Sequence, residues 1–384
     1  MKHFGIYIHW PFCESKCPYC DFNSHVEESI DEARWLAAYL SELNRYANTT
    51  SKKTVTSVFF GGGTPSLMGS QTLGEIITVI KDLWNLWENA EVTLEANPSS
   101  VEKNKFIEFQ KNGVTRLSLG VQSLDEDSLL FLGRKHSASE AREAAVLASE
   151  VFERFSLDVI YGLPGQSLHK WKRELAEILK LVTTHISAYQ LTIEPGTQFS
   201  RDKVETSGEA VERKLFDYTC DFFEKENLTA YEVSNFAKPG HECLHNCTYW
   251  TGDDYIGVGP GSHGRLTKPD IDSLEIQTYA TLGIKSPKKW LENVEEKGSG
   301  DLRSTKLKLS ERIDELIICG LRMAKGLNTG RFLNQTGVSL YDVINKDKLL
   351  TFQERGLVKQ NKDNLFLTHK GRSFLNYLAV ELLA

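Results

Sequence analysis

The chain reads as an α/β protein built from βα units around a parallel sheet, with a smaller domain of helices and a hairpin behind it. Three observations predict this. Short β-rich runs alternate with amphipathic helical patterns through the first two thirds, the sign of strands joined by crossover helices. Six such runs recur, at 4–9, 55–60, 91–96, 116–121, 156–161 and 185–191, and beyond residue 304 the rhythm changes. The intervening helices carry their own punctuation. Ser29 with Glu32 and Ser123 with Glu126 have capping-box spacing, and Gly113 follows a helical run as a stop. Six parallel strands suit an open doubly wound sheet or a partial barrel equally, because periodicity reports burial and not closure. The polar clusters fall at or just after the ends of the strand candidates, where sites gather in either architecture.

Past residue 304, helices are expected at 311–323 and 340–353. Two strands joined by an Asn/Asp turn follow within 356–368, and a last helix starts at His369. Helices followed by a small hairpin resemble a winged helix. The expected division is therefore 1–240, a connecting segment 241–304, and 305–384, with loops around 49–53, 203–208 and 295–304.

At 384 residues the chain is long enough for two or three domains. A formal net charge of -7 argues against a general nucleic-acid binder. Residues 305–384 do carry 13 Lys/Arg against 8 Asp/Glu, but no helix face collects them, so they read as solvated charge. No apolar run approaches the roughly 20 residues that span a bilayer, and the first residues run straight into a strand pattern. The expectation is a cytoplasmic protein. Seven cysteines in such a chain argue for reduced thiols over a disulfide framework.

Three of those cysteines, Cys13, Cys17 and Cys20, stand at C-x3-C-x2-C spacing. Three thiolates on one short loop can hold three irons of a [4Fe-4S] cluster and leave the fourth open. Structural zinc would want a fourth ligand, His9 or a distant group. The pattern resembles the radical S-adenosylmethionine (SAM) superfamily. That resemblance implies a (β/α)6 partial barrel in which SAM chelates the open iron and an electron from the cluster cleaves its sulfonium to a 5'-deoxyadenosyl radical.

Downstream residues extend the resemblance. Gly61-Gly62-Gly63-Thr64-Pro65 lets a ligand approach the backbone, although such a run is also an ordinary tight turn. Glu95 ends the third strand, Gln122 follows the fourth, and Arg134 and Asp158 come after. Gln122 donates and accepts, Arg134 pairs with carboxylates in a fork, and Asp158 only accepts. Together with Tyr7, Tyr19 and the Tyr161-Gly-Leu-Pro164-Gly165 segment, they resemble the oxygen-independent coproporphyrinogen oxidase family. The resemblance implies SAM contacts for Tyr7, Tyr19, Gly62, Gly63, Thr64, Glu95, Gln122, Arg134 and Asp158.

Phe22 departs from that pattern, since the dehydrogenating oxidases carry a fourth cysteine there and a longer leading segment. Cys20-Asp-Phe22-Asn-Ser, with His245-Asn246-x-x-Tyr249-Trp250, resembles the heme-chaperone branch instead. That branch implies a protein that binds a [4Fe-4S] cluster and SAM and transfers heme to an acceptor, drawing electrons from a donor and touching a membrane only through the acceptor. Imidazole is a good axial ligand for heme iron and aromatics pack on a porphyrin face. His245 is accordingly the expected iron ligand near the barrel's carboxyl end, with Tyr249 and Trp250 beside it and His263 a second candidate for SAM or heme. Three rival readings stay open: a polar turn closing the barrel mouth, a metal site of His241, Cys243, His245 and Cys247, and oxidative decarboxylation of coproporphyrinogen III. A winged-helix regulator sensing iron-sulfur or heme status is a further class.

Overall fold

The structure, a computed structural model, describes residues 3–99, 105–181, 184–270 and 276–383. Its strands in chain order are β1 (Phe4–Trp10), β2 (Phe12–Cys13), β3 (His25–Val26), β4 (Thr54–Gly62), β5 (Asn85–Ala96), β6 (Arg116–Gln122) and β7 (Arg154–Tyr161). There follow β8 (His185–Gln190), β9 (Thr229–Ala230), β10 (Asn235–Ala237), β11 (Asp254–Val258), β12 (His263–Pro269), β13 (Ile276–Gly283) and β14 (Asp301–Lys306). A separate small sheet holds β15 (Leu327–Asn328), β16 (Val358–Gln360) and β17 (Asn364–Leu367).

The main sheet runs β14-β13-β12-β11-β1-β4-β5-β6-β7-β8-β10-β9. From β11 to β8 every pairing is parallel, and antiparallel strands flank both sides. This is the partial barrel, with all six expected strands in place and β11 as a seventh parallel member. The expectation that 241–304 only connects is corrected here, because β11 to β14 extend the same sheet. Likewise 295–304 is not a loop, since it holds the end of helix Pro287–Lys297 and the start of β14.

Side chains alternate across each parallel strand, and the alternation makes the inside of the barrel polar. Phe4, Ile6, Ile8 and Trp10 of β1 join the outer core, where Trp35 and Tyr39 of helix Glu32–Thr50 cover them. Trp35 in turn stacks on Trp290 at 5.5 Å. The opposite face of the strands carries Ser57, Glu91, Glu95, Arg116, Ser118, Arg154, Ser156, Asp158, His185 and Ser187. Buried Glu91 and half-buried Arg154 form an ion pair of 3.0 Å at the amino-terminal end of the barrel.

Both expected capping boxes are replaced by aspartates two residues later. Asp31 accepts from Arg34 N and Asp125 from Ser128 N, each contributing about 1 kcal/mol at a helix start. Ser123 is drawn away to bond Glu174 instead. Gly113 does end its helix, at φ +104°.

The helix expected at 311–323 runs Leu309–Arg322, and that expected at 340–353 divides at Asn345, which caps Lys346–Glu354. The hairpin forms, and β15 adds a third strand. A second core built from Leu316, Phe332, Phe352, Leu365 and Leu378 holds these elements together.

Candidate functional site

The cysteine loop springs from the carboxyl end of β1, where Phe12 and Cys13 pair with His25 and Val26. Asn23 pins it, donating both amide hydrogens to Pro260 O and Lys285 O at 2.9 Å each, while the Asn23 carbonyl meets His9 Nε2 at 2.9 Å. Lys16 Nζ closes the loop on Phe22 O and Ser24 O. The glycine run lies against it. Gly63 N donates to Trp10 O and Thr64 N to Phe12 O, both at 2.7 Å, and a Cβ on Gly63 would stand 2.5 Å from Phe12 O. Glycine is needed there for close approach of two backbones.

Cys13, Cys17 and Cys20 all line one cavity of about 380 Å³. Each sulfur has a polar neighbour. Thr64 Oγ1 donates to Cys13 Sγ at 3.4 Å, Arg134 Nη1 to Cys17 Sγ at 3.3 Å, and Ser24 Oγ lies 3.8 Å from Cys20 Sγ. Burial pushes the Cys13 and Cys20 thiols up, and the Thr64 and Ser24 contacts work against it. Among the described residues no three His, Cys, Asp or Glu converge as a site for one metal ion. A cubane takes one iron per thiolate, so its ligands need not meet at a point, whereas zinc would require it. The three cysteines therefore fit the cluster, and His9, already bonded to Asn23 O and Tyr7 OH, is no fourth zinc ligand.

The wall opposite the cysteines is polar by the alternation described above. Glu95, Asn97, Ser118, Gln122, Arg134 and Asp158 line it. Arg134 spans from Cys17 to Asn97 Oδ1 and Gly120 O, the last at 3.1 Å. Asp158 accepts from Ser118 at 2.8 Å and Ser156 at 3.0 Å. Burial pushes the Glu95 carboxyl up to about 8, and nearby Asp158 adds to this, while Gly62 N at 3.2 Å opposes it. Gln122 is one of three non-glycine residues with positive φ among those described, at +63°, a strained conformation held at a cavity wall. Donors and acceptors in this mix suit a ligand carrying an ammonium, a carboxylate and ribose hydroxyls.

The expected SAM residues are not all brought together. Tyr19, Gly63, Thr64, Glu95, Gln122, Arg134 and Asp158 line this first cavity. Tyr7 and Gly62 line a second one, of about 430 Å³, together with Tyr249, Trp250 and His263. Glu95 and Phe22 line both. Asn97 and Ser118 were not singled out from the sequence, although Asn97 directly follows β5 and Ser118 stands inside β6 opposite Glu95. The signal for them was the period-2 placement of polar side chains.

His245 lies in neither cavity. It sits on helix Leu244–Trp250, which enters the amino-terminal half of the barrel, and is 1% exposed. Its Nδ1 pairs with Ser57 Oγ at 2.9 Å and its Nε2 with Tyr249 OH at 2.6 Å. One nitrogen donates and the other accepts, so both are used. Phe59 stacks on the ring at 5.1 Å, and Gly5 leaves room for it, since a Cβ there would stand 3.2 Å away. Burial depresses its pKa to about 3. The expectation of an accessible His245 at the carboxyl end is corrected: the barrel closes around it near the opposite end. The alternative metal group also does not assemble, because Cys243 Sγ donates to Glu91 Oε1 at 3.3 Å. Glu91 further accepts Leu244 N and His245 N, which fixes the start of this helix to the barrel floor.

Residues 7–178 match the radical SAM superfamily and residues 307–374 the HemN C-terminal domain. The chain is 35% identical over 383 residues to the heme chaperone HemW of Escherichia coli, covering 99% of this chain and 98% of that protein. It is 32% identical to the heme chaperone HemW of Bacillus subtilis, covering 96% of each. It is 33% identical to a mitochondrial radical S-adenosyl methionine domain-containing protein 1 of Bos taurus, over 99% of this chain and 87% of that one. Among solved structures, coproporphyrinogen III oxidase (HemN) of Escherichia coli superposes with a TM-score of 0.83 at 19% identity, over 100% of this chain and 90% of that one, a likeness of fold.

Proposed function

We propose, from the premise that the chain belongs to the radical SAM superfamily and within it to the family of the HemW heme chaperones, that it is itself a heme chaperone. The observation that carries this reading is the likeness to HemW over nearly the whole of both chains. In this reading Cys13, Cys17 and Cys20 hold a [4Fe-4S] cluster, and the polar wall of the same cavity holds SAM. When bound, the two supply reductive cleavage of a sulfonium. Arg134 is suited to anchor the SAM carboxylate beside Cys17, Glu95 and Asp158 to accept from its ammonium and ribose, and Gly63 to admit it close to the backbone. The protein's share is to bind, orient and tune groups that bring their own chemistry.

Heme is the cargo and leaves for an acceptor protein. Electrons for the cluster come from a separate donor. No helix among the described residues is long and apolar enough to cross a membrane. Residues 305–384 are proposed as a separate C-terminal unit.

The rival is oxidative decarboxylation of coproporphyrinogen III, which the shared fold with HemN keeps in view. Phe22, 58% exposed, stands between the two cavities at the position where the sequence pattern of the oxidases has a fourth cysteine. Anaerobically reconstituted protein with SAM, a reductant and coproporphyrinogen III should leave the porphyrinogen unchanged on chromatography. Many turnovers to protoporphyrinogen would overturn the chaperone reading.

A further inference from the structure

We propose that heme is held in the second cavity, between the open edge of the barrel and the C-terminal helix Leu309–Arg322, with His263 as its iron ligand. This rests on the heme-chaperone reading and assigns that reading its site.

The space and its walls suit a flat conjugated ring. The cavity is about 430 Å³, within the usual range for cofactor-sized sites. Tyr7, Phe22, Tyr249, Trp250, Tyr255 and Leu316 provide aromatic and aliphatic surface on several sides. Trp250 Nε1 is buried with no hydrogen-bond partner, while Arg322 covers the indole face at 4.4 Å.

His263 is uncommitted. At the start of β12 it lines the cavity and is exposed, and no side-chain hydrogen bond engages its ring among the described residues. His245 is the reverse, with both nitrogens bonded and no cavity beside it. Partial burial lowers the His263 pKa, and Arg265, Lys285 and Arg303 lower it further, so the neutral imidazole that binds iron is the resting form. The same cations suit the two carboxylates of heme. Of these, Arg265 lines the cavity itself and is paired with Glu315 at 2.7 Å, while Lys285 and Arg303 act on His263 from outside the cavity lining. Cys319 also lines the cavity, but burial pushes its thiol up to about 11, which keeps it protonated.

The site also adjoins the first cavity through Glu95 and Phe22. Cargo bound there would neighbour the SAM site, and Phe22 would form part of its wall.

Full-length protein, reconstituted anaerobically, is titrated with ferric heme and followed by optical and electron paramagnetic resonance spectra. His263→Ala should keep fold and cluster, shift the Soret band, and lower affinity by more than the roughly 10- to 100-fold that loss of an outer-shell partner costs a metal site. His263→Cys should bring a thiolate-type spectrum, a signature that a structural role would not produce. His245→Phe should keep the wild-type spectrum. Wild-type affinity and an unchanged spectrum in His263→Ala would overturn the assignment while leaving the chaperone reading intact. Loss of ligation in Cys319→Ala but not in His263→Ala would overturn it as well. If wild-type protein binds no heme, the chaperone reading fails first and the assignment falls with it.

Discussion

His245 Nε2 and the Tyr249 hydroxyl stand 2.6 Å apart, one helical turn from each other, with His245 lining neither cavity and Tyr249 at the wall of the second. A segment that reads from sequence as a heme-facing motif thus divides in two. His245 closes the barrel floor, while Tyr249 and Trp250 reach the second cavity.

His245→Ala should destabilise the protein by about 2–5 kcal/mol, because it opens a cavity and leaves two buried hydroxyls without a partner. Anaerobic urea unfolding measures this. The pH dependence has a definite sign. A histidine with its folded pKa lowered to about 3 binds fewer protons folded than unfolded, so its contribution is full above about 6.5 and is lost as pH falls. His245→Phe should reduce that acid-side loss.

Glu91 faces Arg154 at 3.0 Å and accepts from Cys243 Sγ, Leu244 N and His245 N. Glu91→Ala leaves Arg154 without its buried counterion and uncaps the helix, and should cost about 3–5 kcal/mol. Unfolding should confirm the loss without any direct change at the cluster cysteines. A stability change under about 0.5 kcal/mol, the scale of an ordinary surface substitution, would contradict the described floor.

Cys13→Ala should abolish the cluster after anaerobic reconstitution, and Cys243→Ala should retain it. Iron and sulfide content with the charge-transfer absorbance report both. A full cluster in Cys13→Ala would exclude the three-cysteine ligand set.

Glu95 gives the opposite pH sign to His245. Its folded pKa is raised to about 8 from 4.5, so the folded protein holds a proton there that the unfolded chain releases. That stability is full below about 4.5 and is lost as pH rises to about 8, at up to about 1.4 kcal/mol per pH unit. Glu95→Gln should remove much of this slope in the cluster-free protein, the remainder belonging to Asp158, whose pKa is also raised by burial. A slope unchanged in Glu95→Gln would place the proton elsewhere.

The parallel strands were legible because their outward residues, such as Ile6 and Ile8 or Leu117 and Leu119, are apolar and pack under helices. The first cavity was legible because its cysteines lie close in sequence and its polar residues follow strand ends. β11 was missed, being short and bordered by Asp253 and Gly259. Glu91, Arg116, Arg154 and His185 passed as ordinary polar strand residues, since nothing local distinguishes a barrel interior from solvent. The burial of His245 was hidden for a similar reason. It depends on Gly5 and Ser57, and the hydrogen bond to Ser57 spans 188 positions. The accessibility of His263 depends on how β12 meets the C-terminal helix.

The most direct measurement is heme transfer. Heme-loaded, reconstituted protein is mixed with membrane vesicles containing an apo-hemoprotein, and formation of the holo-hemoprotein is followed optically. The account predicts heme binding by the protein and its stoichiometric movement to the acceptor, faster than from free heme at the same concentration. Failure to bind heme, or transfer no faster than from free heme, would contradict it.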